Sequence, residues 1–300
     1  MSAVVTIGNF DGVHRGHAAL VERAVTVARA RRVRAVALTF DPHPAAVLRP
    51  DAVPPALQSL DERVATLEAL GCDAVEVVPF DADLAARSPE GFVVDLLVRR
   101  LAAVHVVVGE NFRFGQGAAG DVALLRRLGA THGFDVDALG LVDVGDGPVS
   151  SSAVRALLAA GDVAAVTRAL GRPHRLSGAV VAGDGRGRTI GVPTANVAVP
   201  DGRALPADGV YACWAAVEDA AAAPAVVNVG WRPTFDGTAR TVEAHLLVDG
   251  APDLYGRRLA LDLVARIRGE ERFDDVAGLV ARIADDVRAA RELLGGPRPA

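Results

Sequence analysis

The 300-residue chain contains no lysine, so its 32 Lys/Arg residues are all arginine. That absence removes a P-loop lysine, a protein-kinase-type lysine and a Schiff-base lysine from the candidate chemistry. Phosphate charge must be met by arginine, histidine, main-chain amides or metal. Cysteine is scarce. Cys72 and Cys213 are the only two and lie far apart, which supports neither a disulfide framework nor a zinc site. Although 51% of the residues are hydrophobic, no uncharged apolar run approaches the roughly 18 residues of a membrane span. A soluble protein without a membrane partner is expected. Neither a basic n-region nor an apolar h-region precedes the first strand pattern, so no secretory signal is expected and a cytoplasmic location is the default. The formal net charge of -5 argues against nucleic acid as a partner. Self-association is compatible with the composition.

What is present is concentrated in short strings of chemistry-bearing residues. The apolar run Val4 to Ile7 reads as a buried strand, and Gly8 to His17, G-N-F-D-G-V-H-R-G-H, follows it. Ala18 to Ala30 then repeats Leu20, Ala24 and Val27 at helical spacing. A strand, a glycine turn and a helix start therefore meet. Gly8, Gly12 and Gly16 allow close backbone approach, and the first amides of the helix lack internal partners and carry partial positive charge. That combination predicts an anion site, with His14 and His17 on one helical face directed at the same phosphates.

Further along, Arg34 to Phe40 reads as a second strand running into D-P-H-P, with His43 and Pro44 just past its carboxyl end, where open α/β sheets bind ligands. Ser59 and Glu62 form a capping box and Gly71 closes the helix they begin. Ala74 to Val78 is a third strand, Ser88-Pro89 starts a helix that should reach about Leu101, and Val104 to Val108 is a fourth strand. The loop Gly109 to Asp121, G-E-N-F-R-F-G-Q-G-A-A-G-D, could order around a planar ligand. His105 reads as a packed core histidine. At Val149 to Arg155, V-S-S-S-A-V-R, the serines are good caps and Arg155 lies one turn into the helix, where a guanidinium can clamp phosphate oxygens. This alternation predicts an α/β doubly wound parallel sheet.

Gly171-Arg172-Pro173-His174 breaks the helical pattern, and short apolar runs separated by turn signals follow. They predict a small antiparallel β-barrel, with a domain boundary near 172: residues 1-171 and 172-300. Within its first loop, Gly183 to Asn196 reads G-D-G-R-G-R-T-I-G-V-P-T-A-N. Gly183, Gly185 and Gly187 expose amides, Arg186 and Arg188 supply charge, and the oxygens of Thr194 and Asn196 suit magnesium held jointly with nucleotide phosphates. Glu243 and His245 share one face of a strand; His245 reads as structural. The chain ends in a helix capped by Asp274 or Asp275, with Val276, Leu279, Val280, Ile283 and Val287 as its buried stripe and Gly295-Gly296 as its stop.

The string F-D-G-V-H-R-G-H resembles the nucleotide-binding motif of the bifunctional riboflavin kinase/FAD synthetase family, and the other strings follow in that family's order over nearly the whole chain. Ser152 replaces the usual threonine of the S-S-T-x-x-R element, keeping the hydroxyl, and Val192 stands where phenylalanine is commoner before Pro193. The resemblance implies a nucleotidyltransferase-type N-terminal domain that adenylylates FMN to FAD and a C-terminal domain that phosphorylates riboflavin to FMN. ATP is the co-substrate and Mg2+ the metal. It assigns His14, His17 and Arg155 to the adenylyl-transfer centre, and Gly8, Phe10, Asp11, Gly12, Gly16, His43, Pro44, Ser150 and Ser151 to nucleotide and flavin binding. Asn111 and Asp121 belong to the flavin side. In the barrel, it assigns Gly183, Gly185, Arg186, Gly187 and Pro193 to nucleotide, Thr194 and Asn196 to metal, and Glu243 to the base that takes the proton of the ribityl 5′-hydroxyl. Two alternatives stay open on sequence alone: a paralogue with one active site that senses flavin or nucleotide, and a redox flavoprotein that retains FMN through dialysis.

Overall fold

The computed structural model describes residues 2–145, 147–183, 187, 191–217, 221–234, 237–248 and 254–295, with backbone alone for 232–234 and 237–239. It separates into two compact units, Met1–Ser151 and Ser152–Ala300. The sequence boundary near 172 falls after the two helices that open the second unit.

In the first unit, β1 (Ala3–Ile7), β2 (Arg34–Asp41), β3 (Ala74–Pro79), β4 (Ala103–Gly109) and β5 (Asp135–Leu139) form one sheet in the order β3-β2-β1-β4-β5. Every pairing in it is parallel. Between the strands lie α1 (Arg15–Arg31), α2 (Pro44–Leu48), α3 (Leu60–Ala69), α4 (Ala82–Ala85), α5 (Pro89–Phe92) and α6 (Val122–His132). Strand alternation sends Ala3, Val5 and Ile7 to one face, with Leu97 and Leu125, and Val4 to the other, with Ala24 and Ala28 of α1. Both faces are thus covered, which is why the strands read as unbroken apolar runs. Leu97 and Leu125 are fully buried, and burying such a side chain contributes about 1.5–3 kcal/mol.

Local signals account for the helix ends. Ser59 Oγ accepts from the Glu62 amide at 3.2 Å and Glu62 Oε2 from the Ser59 amide at 2.9 Å, completing the capping box of α3. Ser88 Oγ accepts from the Gly91 amide at 3.0 Å. The helix expected from Pro89 to about Leu101 is not uniform: after α5 it winds as a π-helix over Val93–Arg100, and the Leu101 amide reaches back to Leu96 O at 3.1 Å. Helix α1 begins at Arg15, three residues before its apolar repeat, because His14 caps it. His105 is 5% exposed, as expected of a core histidine.

The second unit opens with α7 (Ser151–Ala160) and α8 (Val163–Leu170); α8 packs on β6 and β11. Strands β6 (His174–Val181), β7 (Ala195–Ala198), β8 (Gly209–Val217), β9 (Ala223–Thr234), β10 (Gly237–Leu246) and β11 (Arg258–Arg268) close a barrel in the order β10-β7-β6-β11-β8-β9. All its pairings are antiparallel. The terminal helix α9 (Val276–Leu293) is capped by Asp275, which accepts from the Gly278 amide at 2.7 Å. Its buried stripe corrects the sequence reading. Val276 and Val280 are 61% and 37% exposed, whereas Asp286 and Ala290 are buried. The helix is turned by an ion pair between Asp286 and Arg268 of β11, at 2.9 Å, which brings the 286/290 side onto the barrel.

Candidate active sites

In the first unit the sheet order reverses between β1 and β4, since the chain winds from β1 through β2 to β3 and then returns to the far side of β1. Loops at the carboxyl ends of these two strands border the crevice where open α/β sheets take ligands. The loop after β1 holds Gly8, Phe10, Asp11, Gly12 and His14; the loop after β4 holds Asn111 and leads to Asp121.

His14 and His17 are brought together as expected. Their rings stack with centroids 3.6 Å apart at 18°, and His14 Nδ1 accepts the His17 amide at 3.3 Å. That acceptor role assigns a neutral His14 proton to Nε2. Phe10, fully buried, meets the His17 ring edge-on at 5.2 Å. Burial, together with His14 beside it, holds the His17 imidazole well below the usual histidine range. It is neutral at pH 7. Gly16 suits this packing, because a Cβ there would stand 3.1 Å from the His14 ring, a tight contact that the ring would have to yield to.

The remaining residues of this site divide between lining and bracing. The buried Asp11 carboxylate accepts the amides of Leu57 at 2.9 Å and Gln58 at 3.2 Å, and so ties the turn to the segment before α3. Ser151 Oγ donates to Asp11 O at 2.8 Å, which brings the S-S-S element onto the same turn. Ser150 is exposed beside it, and Arg155 is half-buried on α7 in the second unit. His43 Nδ1 accepts from the Ala45 amide at 3.1 Å, capping α2, which Pro44 begins. Asn111 is exposed. Asp121 caps α6 through the Leu124 amide at 2.8 Å, and that bond, with Arg113 nearby, holds its carboxyl below the usual range. Phe112 and Phe114 stack at 5.4 Å and continue through Phe92 and Phe40 to Phe80. Phe80, Phe92 and the buried Arg63 were not singled out from sequence; their long-range partners leave no local signature.

The second site lies in the barrel. A cavity of about 520 Å³ is lined by Gly187, Thr194, Asn228, Glu243 and His245 together with the apolar Val210, Val226, Phe273, Leu279 and Ile283. Segment 268–273 completes it. Thr194 and Glu243 therefore share one cavity, and Asn196 is the register partner of Glu243. Gly183 approaches the Asn196 side chain so closely that a Cβ would collide with its amide. His245, read as structural, braces the neighbouring loop. Its Nδ1 lies 2.8 Å from Pro193 O, and since a carbonyl only accepts, Nδ1 donates and pins the P-T-A-N segment. Asn228 was missed from sequence. Gly185, Arg186 and Arg188 lie outside the described residues.

Two family models match the chain, FAD synthetase over residues 1–153 and riboflavin kinase over 170–294. The bifunctional riboflavin kinase/FMN adenylyltransferase of Escherichia coli K12 is 42% identical over 297 residues, covering 99% of this chain and 94% of that protein. The protein of the same name from Pseudomonas fluorescens is 40% identical, with 97% and 92% covered, and that from Bacillus subtilis 33%, with 96% and 91%. The chain belongs to the bifunctional riboflavin kinase/FMN adenylyltransferase family. In this family's terms the parallel-sheet unit is the FAD synthetase part and the barrel the riboflavin kinase part. A crystal structure titled as a macrolide-efflux protein from Streptococcus pneumoniae shares the architecture, with a TM-score of 0.88 and 29% identity over 97% of this chain and 94% of that one. Among the described residues no helix is long and apolar enough to cross a membrane.

Proposed function

We propose that this chain converts riboflavin and ATP to FMN and ADP in the barrel, and FMN and a second ATP to FAD and pyrophosphate in the parallel-sheet domain. We take the working domains as 1–171 and 172–300. The observation that carries the kinase half is the shared cavity: Glu243 and Thr194 line the same roughly 520 Å³ space, to which Val210, Val226, Phe273, Leu279 and Ile283 add apolar surface for a planar ring system. Glu243 accepts the proton of the ribityl 5′-hydroxyl as that oxygen attacks the γ-phosphorus, and the bond to the ADP oxygen breaks. The 183–196 loop cradles the nucleotide, and His245 holds its Pro193 end in place.

Hard oxygen donors at Thr194 and Asn196 fit magnesium shared with nucleotide phosphates, and the Asn196 amide fills the space that a side chain at Gly183 would take. When bound, the ion supplies charge neutralisation on the phosphates. In the first domain the FMN phosphate is already an anion and attacks the α-phosphorus of ATP directly, with pyrophosphate as leaving group. Arg155 balances phosphate charge, and the neutral His17 imidazole, His14 and main-chain amides align the two substrates by hydrogen bonding. The phenylalanine run from Phe112 to Phe80 supports a flavin on that side. A cytoplasmic location belongs to the same reading, in keeping with two buried, unbridged cysteines.

The test is a product assay with ATP and magnesium, run separately with riboflavin and with FMN. The expected products are FMN and FAD from the first and FAD from the second. No product from riboflavin, or FMN alone from riboflavin with no FAD from supplied FMN, would overturn the bifunctional reading.

A further inference from the structure

We propose that Arg63 is a positioning residue for adenylyl transfer, its buried guanidinium setting the separation between the turn after β1 and the D-P-H-P loop after β2. The inference deepens the reading of the N-terminal site and rests on it.

Strands β1 and β2 run in register from Ala3 opposite Arg34 to Ile7 opposite Leu38, and one further bond joins the Gly8 amide to Leu38 O at 3.1 Å. Beyond that rung the two chains part, one into G-N-F-D-G and the other into F-D-P-H-P. Their next carbonyls, Asn9 O and Phe40 O, have no ladder partner in each other. Arg63, on α3, reaches both: Nη1 donates to Asn9 O at 2.7 Å and Nη2 to Phe40 O at 3.2 Å. Thr39 Oγ1 adds a second donor to Asn9 O at 3.1 Å.

Arg63 is only 6% exposed, so this is a buried cation used where the main chain needed two donors. A guanidinium suits the place because its planar fork presents two N–H groups at fixed spacing, whereas an ammonium is a point donor. The carboxylates of Asp11 and Asp41, the latter at 3.9 Å, offset its charge. A change of about 1 Å in the spacing of two such loops can cost on the order of 100-fold in rate.

The experiment uses the full chain carrying Arg63→Met or Arg63→Lys, with FAD formation from FMN and FMN formation from riboflavin measured on the same sample. The riboflavin reaction belongs to the other domain and reports on intact protein. R63M should lose at least 100-fold in kcat for FAD formation, with the KM for ATP changed less than threefold. R63K, which keeps the charge but cannot fork, should lose about 10-fold. Riboflavin phosphorylation should stay within twofold in both. If R63M fails to fold, R63K decides alone. An R63K chain within threefold of the unmodified enzyme in FAD formation overturns the proposal, as does an R63K loss confined to the KM for ATP or shared equally by both activities. A parallel H17A chain separates the two levels of the argument: FAD formation surviving in H17A sinks the site assignment, while an inert H17A beside a fully active R63M sinks only the role of Arg63.

Discussion

Glu243 on β10 stands directly opposite Asn196 on β7 and, across the other edge of its strand, directly opposite Asn228 on β9. Residues paired this way share a face of the sheet, so one carboxylate is flanked by two neutral amides. Neither amide competes for the proton that the carboxylate is to receive. Glu243→Gln keeps the shape but removes the carboxylate proposed as the base. Its kcat for FMN formation should fall by about 10²–10⁴, the range of general-base catalysis, while FAD formation from supplied FMN stays unchanged. Chromatographic separation of the two products measures both.

The close approach of Gly183 to Asn196 gives a second check on the same half. In Gly183→Ala the added methyl collides with the Asn196 amide, and either the loop or the amide must move. Riboflavin phosphorylation should lose at least about 10-fold in kcat/KM, because nucleotide alignment depends on both. FAD formation should be untouched. An unchanged kinase would show that Asn196 is not held where the nucleotide needs it.

His17→Ala should produce the opposite pattern. The imidazole stacks on His14 and leans on Phe10, so its removal takes away a group proposed to contact phosphate and the ring that packs on its neighbour. Loss of one preorganised donor to a developing charge costs about 10²–10³ in kcat. FAD formation should fall by at least that much, with riboflavin phosphorylation as the internal control.

The same residue predicts a pH dependence of stability. His17 is held below its ordinary value by burial and by His14, so between the folded and unfolded values the unfolded chain binds the extra proton. Stability therefore rises with pH through that window. The contribution is fully present above about pH 6.5, the unfolded value, and is lost progressively as pH falls below it. Each proton of difference corresponds to a slope of about 1.4 kcal/mol per pH unit. Thermal unfolding followed from pH 7.5 to 5.5 should show the N-terminal domain losing stability on acidification, and His17→Gln should flatten the slope. A profile identical in the two chains would contradict a buried neutral imidazole.

Much of this was legible in the sequence because the sheet of the first unit is covered on both faces, so β1, β2 and β4 announce themselves as apolar runs. Strand β5 did not. Its D-V-D-A-L alternates, as an edge strand should, and its aspartates are spent on Arg23 and Arg31 of α1. Strand β7 is four residues long, too short for a period to declare itself, yet it carries Asn196 and closes the barrel. The motif strings located His14, His17, Thr194 and Glu243, since each sits beside a glycine or proline that marks a turn, or on a strand of clear alternation. Asn228 and Arg63 have no such marker. One depends on strand register, and the other on carbonyls far away in the chain; on a capping-box helix an arginine reads as a solvated residue until its partners are seen.

The ion pair of Arg268 with Asp286 couples the stability of the barrel to the shape of its cavity. Arg268 Nε and Nη2 both lie 2.9 Å from the carboxylate, and the two side chains are 11% and 3% exposed. Arg268 also lies over the Phe273 ring at 5.8 Å. Breaking such a pair from one side leaves a buried charge unmatched and costs about 3–5 kcal/mol, whereas replacing both partners by apolar groups of similar volume is often neutral. Asp286→Ala should therefore lower the unfolding midpoint of the barrel strongly, and the double variant R268M/D286L should recover most of the loss. The helix this pair holds, α9, carries Leu279 and Ile283 into the lining of the cavity. Asp286→Ala should accordingly raise the KM for riboflavin more than the KM for ATP, and the double variant should restore it only as far as it restores the seat of α9. Equal rises in both constants would mean that the ion pair supports the barrel as a whole and not the proposed flavin surface of α9 in particular.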